Sequence, residues 1–287
     1  MTDLVFPPKP NALQDLFSVV RPIIGMVHLL PLPGSPRYQG EPVTTIIDAA
    51  LRDARAWQKG GAEGLMIENA GDLPFAKPDR IGHETVAAMT AVAVALVREV
   101  PLPIGVNCLA NGVLPALAVA KASGARFVRS NQWVNAYVAN EGFVEGAAPA
   151  AMRYRAWLRA YDIAIFADVH VKHGSHAVVG DRSLAEQTRD AIFFDADILI
   201  ATGQRTGDAT DIDEIRGIKG ASTLPVIIGS GLTADNAPEL LLLADGAIVG
   251  SWAKVDGVWW NPVDVERVRR LMDVVRVVRE EAVPVEG

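Results

Sequence analysis

The segment "ADGAIVGS" (Ala244–Ser251) decides the fold class, because it sets a pattern that recurs along the chain. A small residue ends a helix, a tight turn follows, and a short uninterrupted apolar run comes next. The pattern returns in "GAEGLMIEN" (Gly61–Asn69), "GARFVRSN" (Gly124–Asn131) and "DADILIATG" (Asp195–Gly203). Such runs are typical of parallel strands buried on both faces. The repeat therefore predicts an α/β fold with alternating strands and helices.

Eight apolar runs of this kind follow one another. They are Ile23–Leu29, Gly64–Asn69, Ile104–Cys108, Phe127–Asn131, Ile163–His170, Ile198–Thr202, Val226–Ser230 and Ala247–Ser251. The intervening segments have apolar residues at helical spacing, as in Val43–Lys59, which ends at a glycine pair. Eight consecutive units favour a closed barrel over an open sheet. We predict a single (β/α)8 TIM barrel over residues 1–287, with residues 1–20 as an N-terminal extension.

Composition and charge exclude several classes of protein. The net charge of −7 disfavours nucleic acid as a partner, since binding it needs a basic surface. The single cysteine, Cys108, allows no disulfide within the chain and fits a reducing compartment. Met1–Pro10 lacks the apolar core of a secretory signal. The longest apolar run, Val86–Val97, is shorter than the roughly 20 residues that span a bilayer. We expect a cytoplasmic protein with no membrane insertion.

Glycines and serines at the ends of the seventh and eighth strands predict a phosphate site. The residues are Gly229, Ser230, Gly231, Gly250 and Ser251. Barrels often bind phosphate in the loops after these two strands and at a short extra helix. Glycine lets the backbone approach an anion, and unpaired N–H groups donate to it. A short helix starting at Ser251 and the charge of Lys254 fit this interpretation. The alternative is that the glycines only form tight turns.

Ionisable side chains at strand ends predict proton-transfer chemistry. Inward residues of a barrel strand alternate, which places Asp168, His170 and Lys172 on one side of the fifth strand. Glu68 ends the second strand. A carboxylate and an imidazole beside a phosphate-anchored sugar can move a proton next to a carbonyl, as isomerases, epimerases and lyases do. We therefore predict Glu68, Asp168, His170 and Lys172 as catalytic candidates.

Polar residues at the ends of the remaining strands are candidates for substrate binding: His28, Asn107, Arg129, Asn131 and Thr202. Structural roles remain open for two of them. Arg129 can neutralise Glu68 or Asp168 in an ion pair, and His28 can hydrogen-bond the loop that follows it.

These residues assign no particular cofactor, and two alternatives stay open. Glu68, Asp168 and His170 carry donors that suit Mn or Zn, so a divalent metal is possible. Lys172 can form a Schiff base with a carbonyl substrate. We assign no role to Cys108, which we expect to face out of the barrel. We assign Trp252, Trp259 and Trp260 to packing or to a subunit contact.

Several motifs resemble those of the BtpA/SgcQ family. They are "GMVHLLPLPGSPRY" (Gly25–Tyr38), "ENAGDLPF" (Glu68–Phe75), "RFVRSN" (Arg126–Asn131), Glu145-Gly146, "DVHVKH" (Asp168–His173), "ATGQRTG" (Ala201–Gly207), "GSGLTADN" (Gly229–Asn236) and "ADGAIVGSWAKVDGVWWNPVD" (Ala244–Asp264). The resemblance covers nearly the whole chain and implies a barrel of the ribulose-phosphate-binding type. One family member is linked to photosystem I biogenesis, and some relatives carry the label phosphoribosylanthranilate isomerase. Two loops depart from the family pattern, at Asn111-Gly112 and at Asn140.

Three functions compete on these observations. The favoured one is an enzyme that acts on a phosphorylated sugar or phosphoribosyl-type small molecule. The second is a non-catalytic biogenesis or assembly factor for a photosystem or membrane complex, which uses the barrel as a scaffold. The third is a regulatory protein that senses a phosphorylated metabolite. We also expect a homo-oligomer, because barrels often associate through their outer helices.

Overall fold

Eight parallel strands close into a barrel in the computed structural model, which describes residues 9–203 and 210–281. The barrel strands are β1 (Ile23–His28), β2 (Gly64–Glu68), β3 (Ile104–Asn107), β4 (Phe127–Ser130), β7 (Ala164–Asp168), β9 (Ile198–Ala201), β10 (Val226–Ile228) and β11 (Ala247–Val249). β1 pairs with both β2 and β11, so the sheet has no free edge. The predicted (β/α)8 TIM barrel is confirmed, and β10 and β11 are its seventh and eighth strands.

Helices surround the barrel. They are α2 (Val43–Gly60), α3 (His83–Glu99), α4 (Val113–Ser123), α5 (Ala148–Trp157), α6 (Leu184–Phe193), α7 (Ile212–Ala221), α8 (Ala237–Leu243) and α9 (Val265–Glu281). Their buried faces form one apolar layer with the outward side chains of the strands, and Cys108 lies in this layer. Gly61 and Gly124 follow α2 and α4 with φ of 101° and 88°, a conformation that favours glycine. These caps turn the chain directly into the next strand.

A helix from the predicted N-terminal extension closes the bottom of the barrel. This helix, α1 (Ala12–Leu16), and the residue after it contribute Leu13 and Phe17 to the apolar core inside the strands. The ring of Phe17 meets Phe127 edge-on at 5.9 Å, and Phe127 stacks on Phe166 at 4.5 Å. Residues 1–8 of the predicted extension lie outside the described part of the chain.

A small antiparallel sheet stands on the long loops that follow β4 and β7. Its strands are β5 (Ala136–Ala139), β6 (Gly142–Glu145) and β8 (Gly174–Ser175), in the order β6-β5-β8. The sequence predicted long loops here but not this sheet. Tyr137, Val144 and Val171 form its own apolar cluster, separate from the barrel core. The sheet ties the two loops together above the carboxyl end of the barrel.

We expect Phe17→Ala to lower the free energy of unfolding by about 3–5 kcal/mol, because it removes a fully buried ring from the closed end of the barrel. Urea denaturation followed by circular dichroism measures the loss. Leu242→Ala, at an exposed position of α8, serves as the control and is expected to change stability by less than about 0.5 kcal/mol. Equal stability of the two variants would show that Phe17 does not contribute to the core.

Candidate functional site

The carboxyl ends of the barrel strands surround a cavity of about 880 Å³. The predicted site residues that line it are His28, Glu68, Arg129, Asn131, Lys172, Gly229, Ser230, Gly231, Gly250 and Ser251. Asn107, Asp168, His170 and Thr202 are not part of the lining. A smaller cavity, of about 490 Å³, lies at the opposite end beside Leu13 and Leu224. Barrel enzymes place their chemistry at the carboxyl end, so the larger cavity is the candidate site.

Two inward-facing glycines make a hollow at the ends of β10 and β11. A Cβ at Gly229 would lie 2.6 Å from the Thr202 side chain and 3.1 Å from Nη2 of Arg129. A Cβ at Gly250 would lie 3.3 Å from the His28 ring. Because neighbouring side chains take the place of each missing Cβ, the two glycines let Arg129 and His28 pack against the backbone that lines the cavity. This hollow is where the sequence predicted a phosphate.

Two cavity residues carry buried polar atoms without a hydrogen-bond partner in the described structure. Asn131 and Ser230 are each 8% exposed, and Oδ1 of Asn131 and Oγ of Ser230 accept or donate no hydrogen bond there. The backbone carbonyl of Ser230 accepts from the Thr210 hydroxyl, which holds the loop in place. An unpaired buried polar group is costly, and binding sites are a common reason for it. Both atoms are therefore available to a ligand.

The predicted role of Lys254 at the phosphate site is wrong. Its ammonium group is buried and lies 2.7 Å from Oδ2 of Asp53 on α2, away from the cavity. A buried ammonium needs a charged partner, and Asp53 supplies it. The predicted short helix is present as one 3₁₀ turn, Ser251–Ala253. The charge of Lys254 therefore anchors this turn to α2 instead of facing a ligand.

His28, Glu68 and Asn107 form a polar chain on neighbouring strands. Nδ1 of His28 lies 3.0 Å from the carbonyl oxygen of Trp259, which can only accept, so Nδ1 carries the proton. Nε2 of His28 then faces Oε1 of Glu68 at 3.8 Å, and Asn107 donates to Oε2 of Glu68 at 2.7 Å. Burial lowers the pKa of His28 below 6.5, although Glu68 opposes this shift. His28 is thus a neutral base held beside a carboxylate, a pair suited to proton transfer.

Arg129 and Asp168 form a bidentate ion pair beneath the cavity. Nε and Nη2 of Arg129 each donate to Asp168 at 3.0 Å, and Asn131 adds a longer hydrogen bond of 3.4 Å. Burial raises the pKa of Asp168, and the guanidinium group of Arg129 opposes that rise. The sequence left open that Arg129 forms a structural ion pair with Glu68 or Asp168. The structure shows this ion pair, and Asp168 is the partner. Asp168 lies behind Arg129, so its carboxylate orients the guanidinium group that faces the cavity.

The structure does not place His170 at the cavity. Alternation of side chains holds only within a strand, and β7 ends at Asp168 instead of continuing to His170. The ring of His170 packs on His176 at 3.8 Å, and burial lowers its pKa to about 4. The hydroxyl of Thr202 also points away from the cavity, since it donates to the carbonyl oxygen of His170, while the methyl group lies beside Gly229. Lys172, which is two residues after His170, does line the cavity.

Within the described residues, no three His, Cys, Asp or Glu side chains come close enough together to hold a metal ion. The three possible metal ligands Glu68, Asp168 and His170 do not come together. Asp168 binds Arg129 instead, and His170 packs on His176. Burial raises the pKa of the Cys108 thiol to about 12, so the single cysteine is an unreactive core residue.

Sequence reasoning missed two features of the site. Trp259 and Trp260 line the cavity, although they were assigned to packing or a subunit contact. The small sheet adds Tyr137 to the cavity wall. The adjacent tryptophans in the loop after the eighth strand were the one available signal, since functional loops follow barrel strands.

These features define a TIM barrel with a glycine-edged cavity at the carboxyl end, lined by both polar and apolar side chains. The fold is similar to phosphoribosyl anthranilate isomerase from Thermus thermophilus, with a TM-score of 0.52 and 15% identity over 90% of this chain and 99% of that chain. It is also similar to thiamine phosphate pyrophosphorylase from Pyrococcus furiosus, with a TM-score of 0.53 and 18% identity over 90% of this chain and 96% of that chain. Both likenesses support the fold.

The chain belongs to the BtpA family, whose model matches residues 19–277. An uncharacterized protein of Archaeoglobus fulgidus is 44% identical over 87% of this chain and 96% of its own length. The photosystem I biogenesis protein BtpA of Synechocystis is 37% identical over 91% of both chains. An uncharacterized mitochondrial protein of Caenorhabditis elegans is 37% identical over 93% of this chain and 97% of its own length. The predicted family is thus confirmed. The family motif at residues 201–207 extends into residues 204–209, which lie outside the described structure.

Among the described residues, no helix is long and apolar enough to cross a membrane.

We expect the imidazole of His28 to titrate below pH 6.5, and Glu68→Gln to lower its pKa further, because the variant removes the carboxylate that favours imidazolium. Nitrogen chemical shifts of the histidine rings, followed by NMR against pH, measure both effects. Glu239→Gln removes an equal charge from the exposed face of α8 and is expected to leave the His28 titration unchanged. An unchanged titration in Glu68→Gln would show that the two side chains do not interact.

Proposed function

We propose that this protein is an enzyme that acts on a phosphorylated sugar or a phosphoribosyl-type small molecule by proton transfer of the isomerase, epimerase or lyase type. One observation carries the proposal. The cavity at the carboxyl end brings the glycine hollow of β10 and β11 beside a neutral histidine and a carboxylate. The hollow supports anion binding, and the His28–Glu68 pair supports acid–base chemistry. The printed names of the structurally similar barrels include phosphorylated compounds, which agrees with this proposal.

The phosphate would bind at the ends of β10 and β11. The backbone N–H groups of Ser230, Gly231, Gly250 and Ser251 would donate to it, together with the hydroxyl of Ser230 that has no partner in the described structure. Arg129 and Lys172 line the same cavity and add positive charge to it. Because Asp168 holds Arg129 through two hydrogen bonds, the guanidinium group keeps one orientation. In this proposal Asp168 is a positioning residue.

His28 and Glu68 would move the proton. The hydrogen bond from Nδ1 of His28 to the Trp259 carbonyl leaves the lone pair on Nε2, where a substrate C–H or O–H can deliver a proton. Glu68 stabilises the imidazolium that forms, and Asn107 holds the Glu68 carboxylate in place. The amide of Asn131 has an unpaired acceptor oxygen that would orient a substrate hydroxyl. Substrate-derived protons thus stay within one short chain of side chains.

We expect inorganic phosphate and at least one sugar phosphate to raise the melting temperature of the protein. A ligand at 100 times its Kd stabilises the folded state by about 2.7 kcal/mol, which corresponds to a shift of roughly 4–5 °C for a domain of this length. Ser251→Asp places a negative charge beside the phosphate and is expected to abolish the shift. Differential scanning fluorimetry of both proteins measures it.

Thr223→Asp is the matched control, since it adds the same charge at the opposite end of the barrel and is expected to keep the shift. A melting temperature that no phosphate compound changes would overturn the enzyme proposal.

We expect the enzyme to exchange a substrate C–H next to a carbonyl with solvent. In D₂O, NMR follows the loss of that proton signal from the sugar phosphate that gives the largest thermal shift. His28→Gln and Glu68→Gln are expected to slow the exchange by about 10²–10⁴-fold, because each removes one member of the acid–base pair. Both variants keep the phosphate hollow and are expected to keep the thermal shift. Exchange at the unmodified rate in both variants would exclude this pair as the acid and base.

The second candidate function is a non-catalytic assembly factor. The observation that favours it is the name of the Synechocystis relative, a photosystem I biogenesis protein that is 37% identical to this chain. Such a factor would use its outer surface and would need no ligand in the cavity. The absence of any thermal shift would favour this function. A shift that Ser251→Asp removes would favour the enzyme or a sensor of the same ligand, and solvent exchange separates those two.

A further inference from the structure

Two adjacent tryptophans stand at the rim of the cavity, in the loop between the 3₁₀ turn Ser251–Ala253 and α9. Trp259 and Trp260 both line the cavity, and Trp260 is 69% exposed. The proposed phosphate and proton-transfer chemistry uses neither indole ring. A large exposed aromatic side chain beside a cavity is a feature of binding sites.

The exposure of Trp260 does not follow from a loose loop. The N–H of Val255 donates to the carbonyl of Pro262 at 2.9 Å, and the N–H of Asn261 donates to the carbonyl of Val258 at 3.0 Å. The side chain of Asn261 adds a hydrogen bond of 3.0 Å to the carbonyl of Val255. The base of the loop is fixed by the buried ion pair of Lys254 with Asp53. These contacts fix the backbone of the loop from which the exposed Trp260 side chain extends.

The two indole rings form a corner. Their planes meet at 87° with ring centroids 5.4 Å apart, and the ring of Trp259 also stands at 86° to that of His28, 5.7 Å away. A flat ring placed in such a corner lies face-on to one indole and edge-on to the other, the two geometries that aromatic pairs prefer. Because Trp259 also accepts the hydrogen bond of His28 through its carbonyl, this corner adjoins the proposed base.

Apolar residues continue the cavity wall beyond this corner. Leu73, Pro74 and Phe75 follow β2, and Leu109 and Ala110 follow β3. In the barrel order, β2 and β3 lie across the ring from β9 and β10, and β1 stands between β2 and β11, so this wall faces the ends of β9 and β10 across the cavity. A sugar phosphate alone has no apolar group large enough to use it. The cavity therefore has a polar half that suits a phosphate and a second half that suits an apolar ring.

We propose that Trp259 and Trp260 bind a planar aromatic or heteroaromatic ring carried by the phosphorylated substrate. The substrate class is then a phosphate ester in which a sugar or a similar polar unit links the phosphate to the ring. This inference rests on the proposed function, because the phosphate at β10 and β11 sets where the ring lies. Stacking on Trp260 supplies affinity and selects ring-bearing phosphates over simple sugar phosphates.

Binding of matched ligands to the full chain tests this proposal. Isothermal titration calorimetry compares AMP, CMP and nicotinamide mononucleotide with ribose 5-phosphate, which lacks the ring, and with adenosine, which lacks the phosphate. We expect at least one ring-bearing phosphate to bind about tenfold more tightly than ribose 5-phosphate, as stacking on an aromatic side chain predicts. Trp260→Ala is expected to remove this advantage and to leave ribose 5-phosphate binding unchanged.

Two further variants serve as controls. Trp260→Phe keeps an aromatic face and is expected to keep most of the advantage. Trp157→Ala removes an indole that is 76% exposed on α5, far from the cavity, and is expected to change nothing.

Three results separate the possibilities. If every ring-bearing phosphate binds no more tightly than ribose 5-phosphate, or if Trp260→Ala weakens both kinds of ligand equally, the ring site is overturned while the phosphate site stands. If adenosine binds in a Trp260-dependent way and the phosphate adds nothing, the ring site stands and the proposed function fails. If none of these ligands binds, both fail.

Discussion

Closure of the barrel between its first and last strands is the constraint on which the rest of the structure depends. β1 pairs in parallel with β11 through Ile23–Ala247, Ile24–Ile248 and Gly25–Val249. This pairing joins the first barrel strand to the last. The carboxyl ends of the eight strands therefore form a ring instead of a row. Residues that are far apart in sequence, such as His28 and Gly250, become neighbours for this reason, since a Cβ at Gly250 would lie 3.3 Å from the His28 ring. The cavity exists only because the ring is closed.

The interior of the barrel changes from apolar to polar along its axis. Phe17, Phe127 and Phe166 fill the amino-terminal end, and the ring of Phe127 occupies the space left by Gly105 on the neighbouring strand. The Arg129–Asp168 pair follows above them, where two buried charges satisfy each other through two hydrogen bonds. Removing either partner would leave an uncompensated buried charge, which is strongly destabilising. The ion pair therefore forms a rigid polar surface at the bottom of the cavity, which a ligand can contact.

Anchors outside the cavity hold its rim in place. Lys254 binds Asp53 on α2, and the loop that carries Trp259 and Trp260 begins at this buried contact. The small sheet of β5, β6 and β8 joins the loops after β4 and β7. A site whose supporting residues are themselves packed and hydrogen-bonded can present its polar atoms without rearrangement, which favours both binding and catalysis.

The sequence by itself determined the barrel and its family, because eight apolar runs with glycine-capped helices between them admit few other arrangements. It also identified ten residues of the cavity lining, from His28 to Ser251, since barrel strands place their last residues at one face of the barrel. Side-chain contacts between distant strands were decided by the tertiary structure alone. Asp168 pairs with Arg129, and His170 lies outside the cavity because β7 ends at Asp168. Lys254 binds Asp53 across a sequence separation of 201 residues. Such pairings depend on which buried charges and rings come into contact once the barrel has closed. No local sequence pattern encodes those contacts.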